Sequence, residues 1–140
     1  MAKNVTALNA NVVMVVDELF PQGVRLEQFS TDAAVSQGDD TYAETRMGVD
    51  GQMVTGVIDQ IKTITITLEA SSPSIQYFKT LAKAIRTNKK HYPITLLVNL
   101  PATGETFTYS NGALKTGKLL PDVNQTLQPI AYTIDFEKVV

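Results

Sequence analysis

The chain has 140 residues, 44% of them hydrophobic, a formal charge of −2, one His and no Cys. The length matches one domain with its own core and the apolar content argues against disorder, while the absence of Cys excludes a disulfide framework or a thiolate zinc site. So small a net charge makes no general case for nucleic acid, yet residues 1–70 hold ten acidic and four basic side chains and residues 71–140 hold four and eight. That asymmetry could help copies join head to tail, or could simply be spread over a solvated surface.

The first apolar run, Val12 to Val16, is stopped by Asp17 and Glu18. It is too short for a signal-peptide core or a membrane span, so a soluble chain without a cleaved leader is expected. Being apolar at every position, it reads as a central strand covered on both faces. Pro21-Gln22-Gly23 reads as a turn, after which Val24 to Phe29 can pair back on it.

The stretch Tyr42 to Asp59, "YAETRMGVDGQMVTGVID", carries Asp50-Gly51 at its centre, a strong signal for a two-residue hairpin turn. With that turn, Val49 faces Gln52, Met47 faces Val54, Thr45 faces Gly56 and Ala43 faces Ile58, a largely apolar face. Glu44, Arg46 and Thr55 fall on the other, mixed face. Eight-residue arms reach about 26 Å. An isolated hairpin is barely stable in water, so the apolar face needs a cover. The base near Ala43 and Ile58 is expected on this chain's own core, and the glycine- and methionine-bearing tip on a neighbouring copy.

Next, "KTITITLEA" alternates cleanly, with Ile64, Ile66, Leu68 and Ala70 on one face and Thr63, Thr65, Thr67 and Glu69 on the other. Ser72 is placed as a helix N-cap with Pro73 at the first helical position. The segment "SIQYFKTLAKAIRTNKK" then carries Ile75, Phe78, Leu81, Ala82 and Ile85 at helical spacing. Its cations Lys79, Lys83, Arg86 and Lys90 form a narrow stripe beside the apolar face. A solvated face, a phosphate-binding surface and a contact with an acidic patch on another subunit all remain open for it.

After Pro93 the period returns to two. Ile94 to Leu100 reads as a strand, Pro101 to Gly104 as a turn, and Thr106 to Ser110 with Ala113 to Gly117 as a second hairpin about Asn111-Gly112. The last strand, "PIAYTIDFE", sends Ile130, Tyr132, Ile134 and Phe136 to one face. About eight strands and one helix make residues 1–140 one mainly β domain: an antiparallel sandwich or open barrel with one flanking helix and a long protruding hairpin.

Catalytic chemistry has little to stand on. His91 is the sole base for a Ser/His/Asp triad and sits in a connection; Asp39-Asp40 lacks the spacing of a calcium loop; Gly48, Gly51 and Gly56 lie in the hairpin and not before a helix. No enzyme, no metal and no cofactor are expected. A carboxylate pair brought together only by folding stays open as a remote hydrolase alternative.

In order, a Gly- and Asp-bearing loop, "TRMGVDGQMVTG", "KTITITLE", a Ser-Ser-Pro cap, one amphipathic helix and a run of strands resemble the small tail tube proteins of bacteriophages, particularly of contractile tails. The likeness is best from Gly38 to about Leu81 and extends more weakly to type VI secretion tubes. It implies a structural subunit forming stacked hexameric rings, a conduit for DNA ejection without sequence-specific binding. Sheath, baseplate and tail terminator proteins would be partners, with no membrane involved, in a virion tail assembled in the bacterial host cytoplasm. It also implies that Met47, Gly48, Val49, Asp50, Gly51, Gln52, Met53 and Val54 make subunit and ring contacts. A conduit should not hold phosphate through cations, so Thr63, Thr65, Thr67 and Glu69, or Glu44, Arg46 and Thr55, are the candidate lumen faces. The alternative is a small monomeric β-barrel module that binds a ligand or a protein.

Overall fold

The computed structural model describes residues 11–27, 29, 35–101 and 103–139. Among these described residues nine strands and one helix follow in the order β1 (Asn11–Val16), β2 (Phe20–Arg25), β3 (Val35–Gln37), β4 (Ala43–Met47), β5 (Met53–Val57), β6 (Lys62–Leu68), α1 (Ile75–Asn88), β7 (Ile94–Leu100), β8 (Glu105–Thr116) and β9 (Ile130–Val139). Seven strands form one antiparallel sheet in the order β2-β1-β7-β8-β9-β6-β3, and among the described residues β4 pairs only with β5. The expected mainly β fold with a flanking helix is present as an open sheet that does not close into a barrel.

Alternation sets the core. Val12, Met14 and Val16, Ile94 and Leu96, Ile130 to Phe136 at every second position, and Ile64, Ile66 and Leu68 are buried on one sheet face together with Ile75, Phe78 and Leu81 of α1. The Phe78 ring stacks on Tyr132 with centroids 4.2 Å apart, so that face is the one the helix covers. Full burial of one such side chain contributes roughly 1.5–3 kcal/mol. On β1 the alternate residues Val13 and Val15 are only half-buried; β1 is hydrogen-bonded on both edges but covered on one face, which corrects the expectation of cover on both.

Two turn signals resolve differently from their simplest reading. The β1–β2 turn is Asp17 to Leu19, closed by Leu19 N–H to the Val16 carbonyl at 3.1 Å. Pro21-Gln22-Gly23 instead lies inside β2, where the register with β1 shifts and Gly23 takes φ +83°. An edge strand tolerates a proline and a bulge that a central strand would not. Asn111-Gly112 is likewise no hairpin: β8 runs unbroken through it, with Asn111 at φ +54° and one extra residue opposite β7. Positive φ serves a bulge as well as a turn.

The helix starts in two steps. Ser74 N–H donates to Ser72 Oγ at 3.2 Å, as an N-cap at Ser72 requires, and Ile75 and Gln76 N–H bond back to the carbonyls of Ser72 and Pro73 in a tight first turn. Regular α-helix begins only at Ile75, with Ser74 as its formal cap, and ends at Lys89 with φ 49°. Ser72 and Ser74 are buried because they also hold the backbone of Glu27: its N–H donates to Ser74 Oγ at 2.7 Å and its carbonyl accepts from Ser72 Oγ.

Candidate functional site

The hairpin is a continuation of the sheet's edge. β3 pairs with β6, with Val35 opposite Ile66 and Gln37 opposite Ile64, and the same two chain segments run on as β4 and β5. At the base, Ile58 N–H donates to the Tyr42 carbonyl at 3.1 Å and Thr41 N–H to Gln60 Oε1 at 3.0 Å.

Its tip is a three-residue loop. Gly51 N–H reaches the Gly48 carbonyl at 3.0 Å and Gly48 N–H the Gln52 carbonyl at 2.8 Å; Gly51 has φ +83° while Asp50 stays at negative φ. This is a β-turn followed by one left-handed glycine, not the expected two-residue turn that needs positive φ twice. Asp50 Oδ1 secures it by accepting from Gln52 N–H at 3.1 Å.

The longer loop shifts the pairing by one residue. Met47 lies opposite Met53, Thr45 opposite Thr55 and Ala43 opposite Val57, while Arg46 lies opposite Val54 and Glu44 opposite Gly56. A slip of one residue moves every side chain of an arm to the other face. Met47 and Val54 are therefore on opposite faces, and Thr55 leaves the face of Glu44 and Arg46, which corrects the mixed lumen face expected from the sequence. Every residue of β4 and β5 is exposed, and Val49 in the loop between them is completely so. At the base, Ala43 is exposed and Ile58 half-buried, and neither is among the residues packed on the hydrophobic core.

The threonine face is retained in part. Thr63, Thr65 and Thr67 are half-buried on the sheet face turned away from α1, and Thr63 Oγ1 donates to Asp135 Oδ1 at 2.8 Å. Glu69 drops out of this row because β6 ends at Leu68, and its carbonyl instead accepts from Ser72 N–H in a turn at 2.9 Å.

The basic stripe divides. Lys90 lies beyond the helix and pairs with Glu18 at 2.6 Å, both side chains half exposed; the bond to Glu18 holds its pKa above the usual lysine value. Lys79, Lys83 and Arg86 line a groove of about 820 Å³ between α1 and the end of β8, floored by Phe78 and Tyr132. None of the three forms an ion pair with a described residue. Lys115, Lys118 and Leu119 form the facing wall, and nothing in the sequence pattern marks them, since they come from a strand end and an irregular connection. The one available signal is composition: "KLLPDVNQTL" places Leu119, Leu120, Val123 and Leu127 in a stretch without strand alternation, and all four are exposed.

Across the sheet interior, Tyr109 OH donates to Gln37 Oε1 at 2.6 Å, and Gln37 Nε2 to Asp40 Oδ2 at 3.1 Å. Burial first, then the Asp40 charge, raises the Tyr109 pKa; burial alone raises that of Tyr132. His91 is exposed in the connection before β7. Among the described residues no three His, Asp or Glu side chains gather as a metal site, and no helix is long and apolar enough to cross a membrane.

The family model described as "Tail fiber protein gp32" matches residues 3–140. No curated protein sequence matches the chain significantly. Among solved structures, a sheath/tube terminator of the extracellular contractile injection system PVC, in the extended state, aligns with TM-score 0.67 at 15% identity over 100% of this chain and 97% of that chain. The tube-terminating cap of the anti-feeding prophage gives 0.61 at 14% identity, over 100% and 91%, and a chain of the PVC sheath-tube complex 0.57 at 17%, over 92% and 86%. At such identities the likeness establishes a shared fold.

Proposed function

Because the chain belongs to the tail fiber protein gp32 family, and is thereby a tail-associated, structural rather than enzymatic protein, we propose that it is a ring-forming subunit of the tail tube or its terminating end. In this reading residues 1–140 act as one tail-tube-like domain. Six copies close a ring, rings stack, and DNA passes through without sequence-specific binding, with sheath, baseplate and terminator proteins as neighbours.

The observation that carries the proposal is the hairpin, a two-stranded ribbon exposed on both faces with Met47, Val49, Met53, Val54 and Val57 open to water. Such a ribbon has no stabilising cover among the described residues of its own chain, and an exposed apolar patch of this kind marks an association surface. The fold shared with a tube terminator, a tube cap and a sheath-tube chain supports the same reading. The half-buried row Thr63, Thr65 and Thr67 supplies an uncharged polar row for a lumen wall, with the neighbouring Lys115 answered by Asp135, since phosphate contacts by free Lys or Arg would retain DNA.

The groove beside α1 favours one competing reading, a monomeric module that binds a ligand there. Size-exclusion chromatography and negative-stain electron microscopy of the purified chain separate the two. Six-fold rings or stacked tubes are expected; a species that stays monomeric at every concentration and shows no rings would refute the assembly reading.

A further inference from the structure

All the large apolar side chains that are exposed among the described residues lie in two segments, seven between Tyr42 and Ile61 and four between Leu119 and Leu127. The β6–β9 ladder shows where these segments stand. Lys62 pairs with Phe136 at one end and Leu68 with Ile130 at the other. The hairpin leaves the sheet at the Lys62 end, whereas the Leu119 to Leu127 connection enters it at the Ile130 end. Seven strand residues at about 3.3 Å each separate the two ends by roughly 20 Å. The hairpin therefore leaves the sheet at the end opposite to this molecule's own groove, a separation that favours a meeting of the two patches between copies.

Their charges are opposite. From Asp39 to Asp59 the hairpin and its flanks carry five carboxylates against the single Arg46. The groove is walled by Lys79, Lys83, Arg86, Lys115 and Lys118 over an apolar floor. Lys118 is partly answered by Asp122 at 3.0 Å and Lys115 by Asp135 at 3.7 Å, which leaves the three helix cations to face the groove. An apolar tip carrying one acid, Asp50 between Val49 and Gly51, is complementary to such a site in both respects.

Building on the reading of the chain as an assembling tail subunit, we propose that the hairpin tip Val49-Asp50-Gly51 of one copy seats in the groove between α1 and the end of β8 of the next copy. Asp50 meets the cations of α1, and Met47 and Met53 cover Leu119 and its neighbours. In the proposed assembly the contact is heterologous, each copy giving its tip to one neighbour and receiving the tip of another, whereas reciprocal exchange within one antiparallel pair would stop at dimers. Repetition of such a contact extends along an axis instead of closing on a pair.

The chain has no Cys, so paired cysteines report the contact directly. Val49→Cys and Leu119→Cys in one chain should give a ladder of disulfide-linked dimers, trimers and longer species on mild oxidation, and neither single variant should progress beyond dimers. Reversing one charge, Lys83→Glu or Asp50→Lys, should abolish the ladder in the double-cysteine background, and combining the two reversals should restore it. Circular dichroism verifies that each variant is folded. Rings or tubes seen by microscopy without a ladder would overturn the tip-to-groove contact and leave the assembly reading standing. Absence of both assemblies and ladder would overturn the assembly reading and this contact with it.

Discussion

Met47 lies directly opposite Met53 across the hairpin, two pairs beyond the Thr45–Thr55 pair and therefore on the same face. Both methionines are exposed, so nothing in their own subunit depends on their bulk. Converting both to Thr extends the threonine pair by one step and keeps strong strand formers in place. Urea unfolding of the subunit should then change by no more than about 0.5 kcal/mol, as for surface substitutions elsewhere. Tube growth should fail or need a much higher concentration, because each buried methionine contributes about 1.5–3 kcal/mol where it does find cover. A clear loss of subunit stability would place the hairpin on its own core instead.

The same pair shows where sequence reasoning succeeds and where it stops. Asp50-Gly51 correctly marks a hairpin, yet either a two-residue or a three-residue loop can use that glycine, and the two differ by one residue of register. The β3–β6 register, extended without interruption, would put Val49 opposite Gln52; the offset enters between Gln37 and Ala43 and between Val57 and Lys62, where no ladder holds the two chain segments in step. Buried alternation was legible, as at Ile64, Ile66 and Leu68, because each residue reports its own environment. The groove was not, because Lys118 and Leu119 are brought to α1 by the pairing of β8 with β9 and not by any local period.

Gly112 fills the bulge of β8 and has no room for a side chain. A Cβ there would lie 2.4 Å from Phe136 Cε1 and 3.1 Å from the Ile94 carbonyl oxygen, whereas at Gly56 a Cβ meets nothing within 4 Å. Gly112→Ala should cost about 1–3 kcal/mol by overpacking against a fully buried ring. Gly56→Ala should be neutral or slightly stabilising, since it restricts the unfolded chain without a clash. Chemical denaturation of the two variants side by side checks the difference. Equal effects would mean that Phe136 moves aside.

Ser74 is 1% exposed and holds Glu27 N–H at 2.7 Å, while its hydroxyl makes no cap bond to the helix. Its role is therefore to fasten the chain after β2 to the start of α1. Ser74→Ala leaves a partly buried N–H without its partner and should destabilise by about 1–3 kcal/mol. The loss should be accompanied by faster hydrogen exchange at Glu27 and not along α1. Fraying of the first helical turn with Glu27 still protected would assign the serine to capping instead.

Tyr132 and Tyr109 give the fold an alkaline limit. Burial keeps both phenols protonated above their ordinary value of 10.0, because the phenolate is the form that loses hydration. In the unfolded chain they ionise near pH 10, so above that pH the native state binds more protons than the unfolded state. Stability must then fall as pH rises, being fully present below pH 10 and lost as the folded pKa values are passed. Among the described residues the Tyr132 hydroxyl bonds only to the Lys118 carbonyl, at a long 3.4 Å, so Tyr132→Phe should cost little at neutral pH and make the decline above pH 10 shallower. Tyr109 also donates to Gln37 at 2.6 Å, so Tyr109→Phe should lower stability at neutral pH as well. Unfolding midpoints measured from pH 8 to pH 11, with tyrosinate absorbance followed in parallel, test both; an unchanged slope in Tyr132→Phe would assign the alkaline loss to other groups.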